Sequence, residues 1–208
     1  MSWFAQLTDG LYPFEVVLLV LGIVLFLALL AAFLRNVFCD KPYGGLLVFF
    51  VIPIAMIAYP SIQTVQIGEG TVTIATKTTE LVKNPDDQQL RASLETDVAK
   101  LGGRPISNAQ TAATLAEAQF ALGNETAAQA NLQKAIKANP KLPAATQLQK
   151  KIQLTQNLST LTERAKAQPA DAATKAELQN TVTALQQAGV ANPTAVKRMA
   201  EARIVLNH

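Results

Sequence analysis

Residues 14–34 form one unbroken apolar run in which Glu15 is the only ionisable side chain. A helix of about 20 such residues crosses the hydrocarbon core of a bilayer. A second uncharged run extends from Pro42 to Gly68. Past about Thr78 the chain turns polar and rich in alanine, glutamine and threonine, with its large apolar residues at helical spacing. The pattern predicts an all-α protein with two transmembrane helices, at about 13–35 and 44–62, followed by a soluble helical domain over 78–208. The 208-residue chain thus divides into a membrane anchor over 1–62, a linker over 63–77 and a domain long enough for its own core.

The first run reads as a retained span. A cleaved leader opens with basic residues and has a core of about 7–15 residues, whereas positions 1–13 carry no Lys or Arg. Glu15 sits at the N-terminal end of this span. A carboxylate there either reaches the headgroups and suits a helix N-terminus, or contacts a partner inside the membrane. The second run has Pro53 in its middle, which predicts a kinked helix. Arg35 and Lys41 flank the loop between the spans, and the next basic residue is Lys77. This bias places the loop in the cytoplasm and both termini outside. Cys39, the single cysteine, lies in that loop, so an internal disulfide is excluded.

In the linker, Val65, Ile67, Val72 and Ile74 alternate with polar residues on either side of Gly68, Glu69 and Gly70. Alternation of this kind predicts a bent strand or small hairpin beside the membrane. Beyond it, Asn-Pro or Gln-Pro pairs end at Pro85, Pro140, Pro169 and Pro193. Asn caps helices and Pro suits their first position. Glycines at 102, 103, 123 and 189 stand where C-terminal caps belong. Helices are therefore expected near 75–83, 86–102, 107–122, 124–138, 142–167, 171–188 and 193–206. Leu90, Leu94, Val98 and Leu101 share one face, as do Ala145, Leu148, Ile152, Leu158, Leu161 and Ala165, and later Leu178, Val182 and Leu185. Phe120 is the only aromatic after Tyr59, so the core is built from small side chains that each bury little area.

Residues 107–140 carry the one specific motif. Leu115 and Ala116 lie mid-helix, Gly123 and Asn124 at a turn, Ala128 early in the second helix, Leu132 four residues later, then Ala135 and a closing Pro140. This window resembles a tetratricopeptide repeat, a helix-turn-helix unit of about 34 residues. It departs from the family where Ala112 and Gln119 replace aromatics, and a shift of 34 residues gives no second match. The resemblance implies stacked helical hairpins whose first helices line a concave surface for peptides or proteins. Gln110, Thr114 and Glu117, with Asn108, are the residues it implies for partner contact.

No constellation for catalysis is evident. His208 is the only histidine and stands at the end of the given sequence. Asp86 and Asp87 suit the start of a helix, and neither glycine pair is followed by the Lys-Ser/Thr of a phosphate loop. No metal-ligand spacing occurs. The basic residues are scattered, with adjacent pairs only at Lys150–Lys151 and Lys197–Arg198, unlike a nucleic-acid footprint. The expectation is a non-enzymatic protein without cofactor or metal. It would anchor in a bilayer, in a bacterial inner membrane, and display an interaction or scaffold domain to protein partners in the periplasm. Two alternatives stay open. One is an accessory subunit of a transporter or energy-transducing complex, working through its spans and Glu15. The other is an assembly factor resembling those of cytochrome c maturation.

Overall fold

The computed structural model describes residues 8–38 and 44–207; Cys39, Lys41 and His208 lie outside the described residues. The described residues are helical, without a strand. Contacts divide the chain into two compact units. The first comprises Met1–Glu69 with Arg104–Ile106, and the second Gly70–Gly103 with Ser107–His208.

The first unit contains α1 (Pro13–Phe38), the short α2 (Gly44–Phe49) and the first part of α3 (Val51–Lys83). Two helical stretches, Pro13–Phe38 and Leu47–Lys83, are long and apolar enough to cross a membrane. Their buried positions follow a seven-residue rhythm. Glu15 and Gly22 recur on α1, and Pro53, Pro60 and Ile67 on α3. This is the spacing that keeps two helices in register along one seam. Gly22 allows the approach: a Cβ there would lie 3.0 Å from both Ile57 Cγ1 and Met56 Cβ, and 3.3 Å from the Pro53 carbonyl oxygen. Small residues at such crossings let backbones come close inside a bilayer. The ring of Phe50 meets Phe26 and Phe33 edge-on, with centroids 5.4 and 6.3 Å away. Val17, Val24 and Leu27 on α1 and Val51, Ile52 and Ile54 on α3 remain exposed.

Two expectations are corrected here. The strand predicted within residues 63–77 is helix, inside α3. Its apolar residues obey the helical seven-residue period as well as the strand period: Ile67, Ile74 and Leu81 are all buried. Thr64, Thr76, Thr78 and Thr79 return their hydroxyls to the carbonyls four residues earlier, and nothing lies within 4 Å of a Cβ at Gly68 or Gly70. The glycines are tolerated in the helix at roughly 1 kcal/mol each and do not mark a turn. Pro53 also does not kink the middle of a span. It is the third residue of α3, and the chain breaks just ahead of it at Phe50, whose N–H donates to the Leu47 carbonyl at 3.2 Å. A proline ring clashes with the carbonyl four residues back, and the break leaves Phe49 outside the helix whose third residue is Pro53.

The second unit takes the remainder of α3, then α4 (Gln88–Gly102), α5 (Ala109–Leu122), α6 (Glu125–Ala138), α7 (Pro143–Ala167), α8 (Ala172–Ala188) and α9 (Pro193–Leu206). These six helices match the expected ones to within two residues at each end. The anticipated caps hold in part: Gly103, Gly123 and Gly189 close α4, α5 and α8, and Asn192 caps α9 ahead of Pro193, whereas Asn139 and Gln168 end α6 and α7 instead of starting the next helix, and Asp87 rather than Asn84 caps α4. The carboxylates of Asp87 and Asp171 and the amide oxygens of Asn108 and Asn192 accept the first free N–H groups of α4, α8, α5 and α9. Such caps are typically worth ~1 kcal/mol each where partly buried. Lys77 on α3 pairs with Asp97 on α4 at 2.6 Å. Helix α5 packs against α6, α7 against α8, and α7 against both α5 and α6, while α9 returns onto α7 and α8. Two apolar clusters result. One joins Ala112, Ala116, Phe120, Ala128 and Leu132 to Leu148 and Ile152, and the other joins Leu158 and Leu161 to Leu178, Leu185 and Ala202.

Candidate functional site

Residues 107–140 fold into α5, a turn and α6. Leu115, Ala116, Ala128, Leu132 and Ala135 are all buried, Ala116 and Ala128 completely. An alanine pair leaves α5 and α6 free to pack closely. Gly123 ends α5 in the left-handed region, at φ +93°, and its N–H donates to the Phe120 carbonyl at 3.0 Å. Few residues other than glycine adopt that backbone. Helix α6 stops at Ala138, and Asn139 is extended because Pro140 follows.

The three residues proposed to face a partner, Gln110, Thr114 and Glu117, lie on α5 at spacings of four and three, hence along one stripe. Gln110 is exposed, whereas Thr114 and Glu117 are half-buried. Glu117 is engaged within the chain: its Oε1 accepts from Lys151 Nζ on α7 at 3.2 Å, across a separation of 34 residues. Asn108 serves as the N-cap of α5, its Oδ1 accepting from Gln110 and Thr111 N–H. The stripe is thus braced against α7 rather than free along its length.

Cavities open on the second unit among the described residues. Between α6 and α7 lies one of about 200 Å³, rimmed by Gln129, Gln133, Gln149, Gln153 and Gln156. Leu132, Ile136 and Ile152 form its floor. Another, of about 380 Å³, lies between α7 and α8 beside Lys150, Lys151 and Leu154. A third, of about 480 Å³, adjoins the N-termini of α6 and α9, where Arg198 approaches Glu125 to 3.8 Å. The glutamine rim was open to sequence reading, since Gln129 and Gln133, then Gln149, Gln153 and Gln156, recur at one-turn spacing. Primary amides both donate and accept hydrogen bonds, so such a rim can meet the backbone of a bound polypeptide. Among the described residues, no group of three or more His, Cys, Asp or Glu is placed to hold a metal ion.

A polar cluster occupies the first unit. Glu15 is only 2% exposed, and its Oε2 accepts from the Tyr12 N–H at 2.8 Å. Arg104 reaches the same carboxylate at 3.8 Å, donates to Gln63 and to the Gly10 carbonyl, and stands 5.7 Å from the centroid of the Tyr12 ring. The carboxylate therefore caps α1 and neutralises a guanidinium. Gly10, at φ +76°, lies against Ile67, where a Cβ would come within 2.6 Å of Cδ1. No sequence signal marked Arg104 as the partner of Glu15, because 89 residues separate the two.

The chain matches no family model, no curated protein and no solved structure.

Proposed function

We propose that this chain is a membrane-anchored, non-catalytic protein that presents a tetratricopeptide-like array of helical hairpins to protein partners on the extracytoplasmic side, at a bacterial inner membrane. One arrangement carries the reading: the α5–α6 and α7–α8 pairs are joined through contacts of α7 with both α5 and α6, so consecutive hairpins stack as repeats do. The Glu117–Lys151 bridge links positions one repeat length apart. Two helices long and apolar enough to cross a membrane supply the anchor.

The test uses the full chain in cells. Photo-crosslinkers at Gln110 and Thr114 should trap a discrete partner, and removal of residues 79–208 should abolish its recovery. In the proposed orientation, Cys39 reacts with a membrane-permeant maleimide and not with an impermeant one. The opposite labelling would invert the topology.

A second reading, an accessory subunit acting through its spans, rests on the buried Glu15. A buried carboxylate beside an arginine can serve a partner in the bilayer as well as its own fold. Glu15→Gln separates the two readings. The scaffold reading expects partner recovery to survive this change, and the subunit reading expects it to be lost.

A further inference from the structure

Between Glu125 and Glu163 the chain contains five lysines and no carboxylate. In the fold this stretch supplies nearly all of α6, the turn after it and most of α7. Lys134, Lys137, Lys141 and Lys150 are exposed, and only Lys151 meets an acid, Glu117. Elsewhere in the same unit the charges alternate in sign, as with Lys77 and Asp97 or Lys166 and Glu163. Over this stretch α6 and α7 therefore carry charge of one sign, with Lys150 and Lys151 bordering the α7–α8 cavity, and such a surface attracts opposite charge from solution. The glutamine-rimmed cavity lies on the same two helices, with the apolar floor of Leu132, Ile136 and Ile152.

We propose that α6 and α7 dock an acidic polypeptide segment, with one of its apolar side chains seated on that floor and its carboxylates reaching the lysines that flank the groove on these helices. The inference rests on the reading of the chain as a protein-docking module and specifies the chemistry of the docked partner. The choice of a polypeptide follows from the groove. Its amide rim suits a peptide backbone, and about 200 Å³ admits a single side chain. A flat anionic bilayer has no group to fill such an indentation. Single-stranded nucleic acid would need stacking aromatics, and residues 126–162 contain none.

The experiment displays random peptides to the full chain held in neutral nanodiscs, and measures the recovered peptides by fluorescence anisotropy. Enrichment of Asp and Glu around an apolar residue is expected. Affinity should fall by at least about tenfold when Lys134, Lys137, Lys141 and Lys150 are all changed to Gln, since four exposed pairs sum to about that factor. The corresponding Lys→Arg variant should retain binding, and Ile136→Ser should weaken it without changing its dependence on salt. Recovered peptides with no acidic excess, or binding indifferent to the Gln variant, overturn the proposal. So does tighter binding of phosphatidylglycerol vesicles than of any peptide, with vesicle binding lost in the Gln variant. Circular dichroism confirms that the variants are folded. If the cellular partner crosslinks unchanged to the Gln variant, the acidic inference fails and the docking reading stands. If no partner crosslinks to either protein, the docking reading fails as well.

Discussion

At the scale of single residues, the alanine positions set the tolerance of the fold. Ala116 and Ala128 are fully buried in one cluster, so Ala116→Leu or Ala128→Leu overpacks it and should cost about 1–3 kcal/mol. The neighbouring Glu117→Leu should shift the melting temperature far less, because the Glu117 side chain is 45% exposed and its ion pair is a surface one. Thermal melts of the full chain in detergent, followed by far-ultraviolet circular dichroism, check the ranking; equal shifts for all three would mean that the alanines do not pair. Asp171 gives a pH signature. Its carboxylate accepts from the Thr174 hydroxyl and from N–H groups at the start of α8, which lowers its pKa from the ordinary 3.8. A depressed pKa in the folded state means stabilisation that is complete above the unfolded value and lost as pH falls through the folded one. The difference in stability between the native chain and Asp171→Asn should therefore hold at neutral pH and shrink below about pH 4, as acid titration of the two proteins would show.

At the scale of elements, the helix boundaries beyond Asn84 are legible in sequence because each is written locally. A capping side chain, a proline or a glycine stands at every junction, and the apolar spacing between them fits one period. Residues 63–77 show where local reading fails. Val65, Ile67, Val72 and Ile74 satisfy both periods, and the glycines tip a local reading toward a turn. The choice is made by Pro60, Ile67, Ile74 and Leu81, whose shared rhythm becomes visible only over the full length of α3. The packing of α1 on α3 is likewise settled by a residue with no side chain to read. Gly22→Leu must push Met56 and Ile57 away, and should cost about 1–3 kcal/mol while leaving the melt of α4–α9 unchanged. The αL cap is a further check: Gly123→Ala places a Cβ 3.4 Å from Pro193 Cδ at φ +93°, and should destabilise by about 1 kcal/mol or more.

At the scale of the whole molecule, the candidate surfaces were legible in part. The stripe Gln110, Thr114 and Glu117 follows from spacing, but its tether to Lys151 depends on how α5 and α7 stack. The pairing of Glu15 with Arg104 depends on a loop that returns to the first unit from far along the chain. Both are tertiary facts with no local trace. The scarcity of aromatics has a different use. Trp3, Tyr12, Tyr43 and Tyr59 all precede Gly70, and the helical unit holds Phe120 as its one aromatic ring. Ultraviolet emission from this protein is thus a private channel of the residues before Gly70, whereas most of the peptide-bond ellipticity comes from α4–α9. Two optical readings of one unlabelled sample can follow the two units separately, and their midpoints coincide only if the units unfold together.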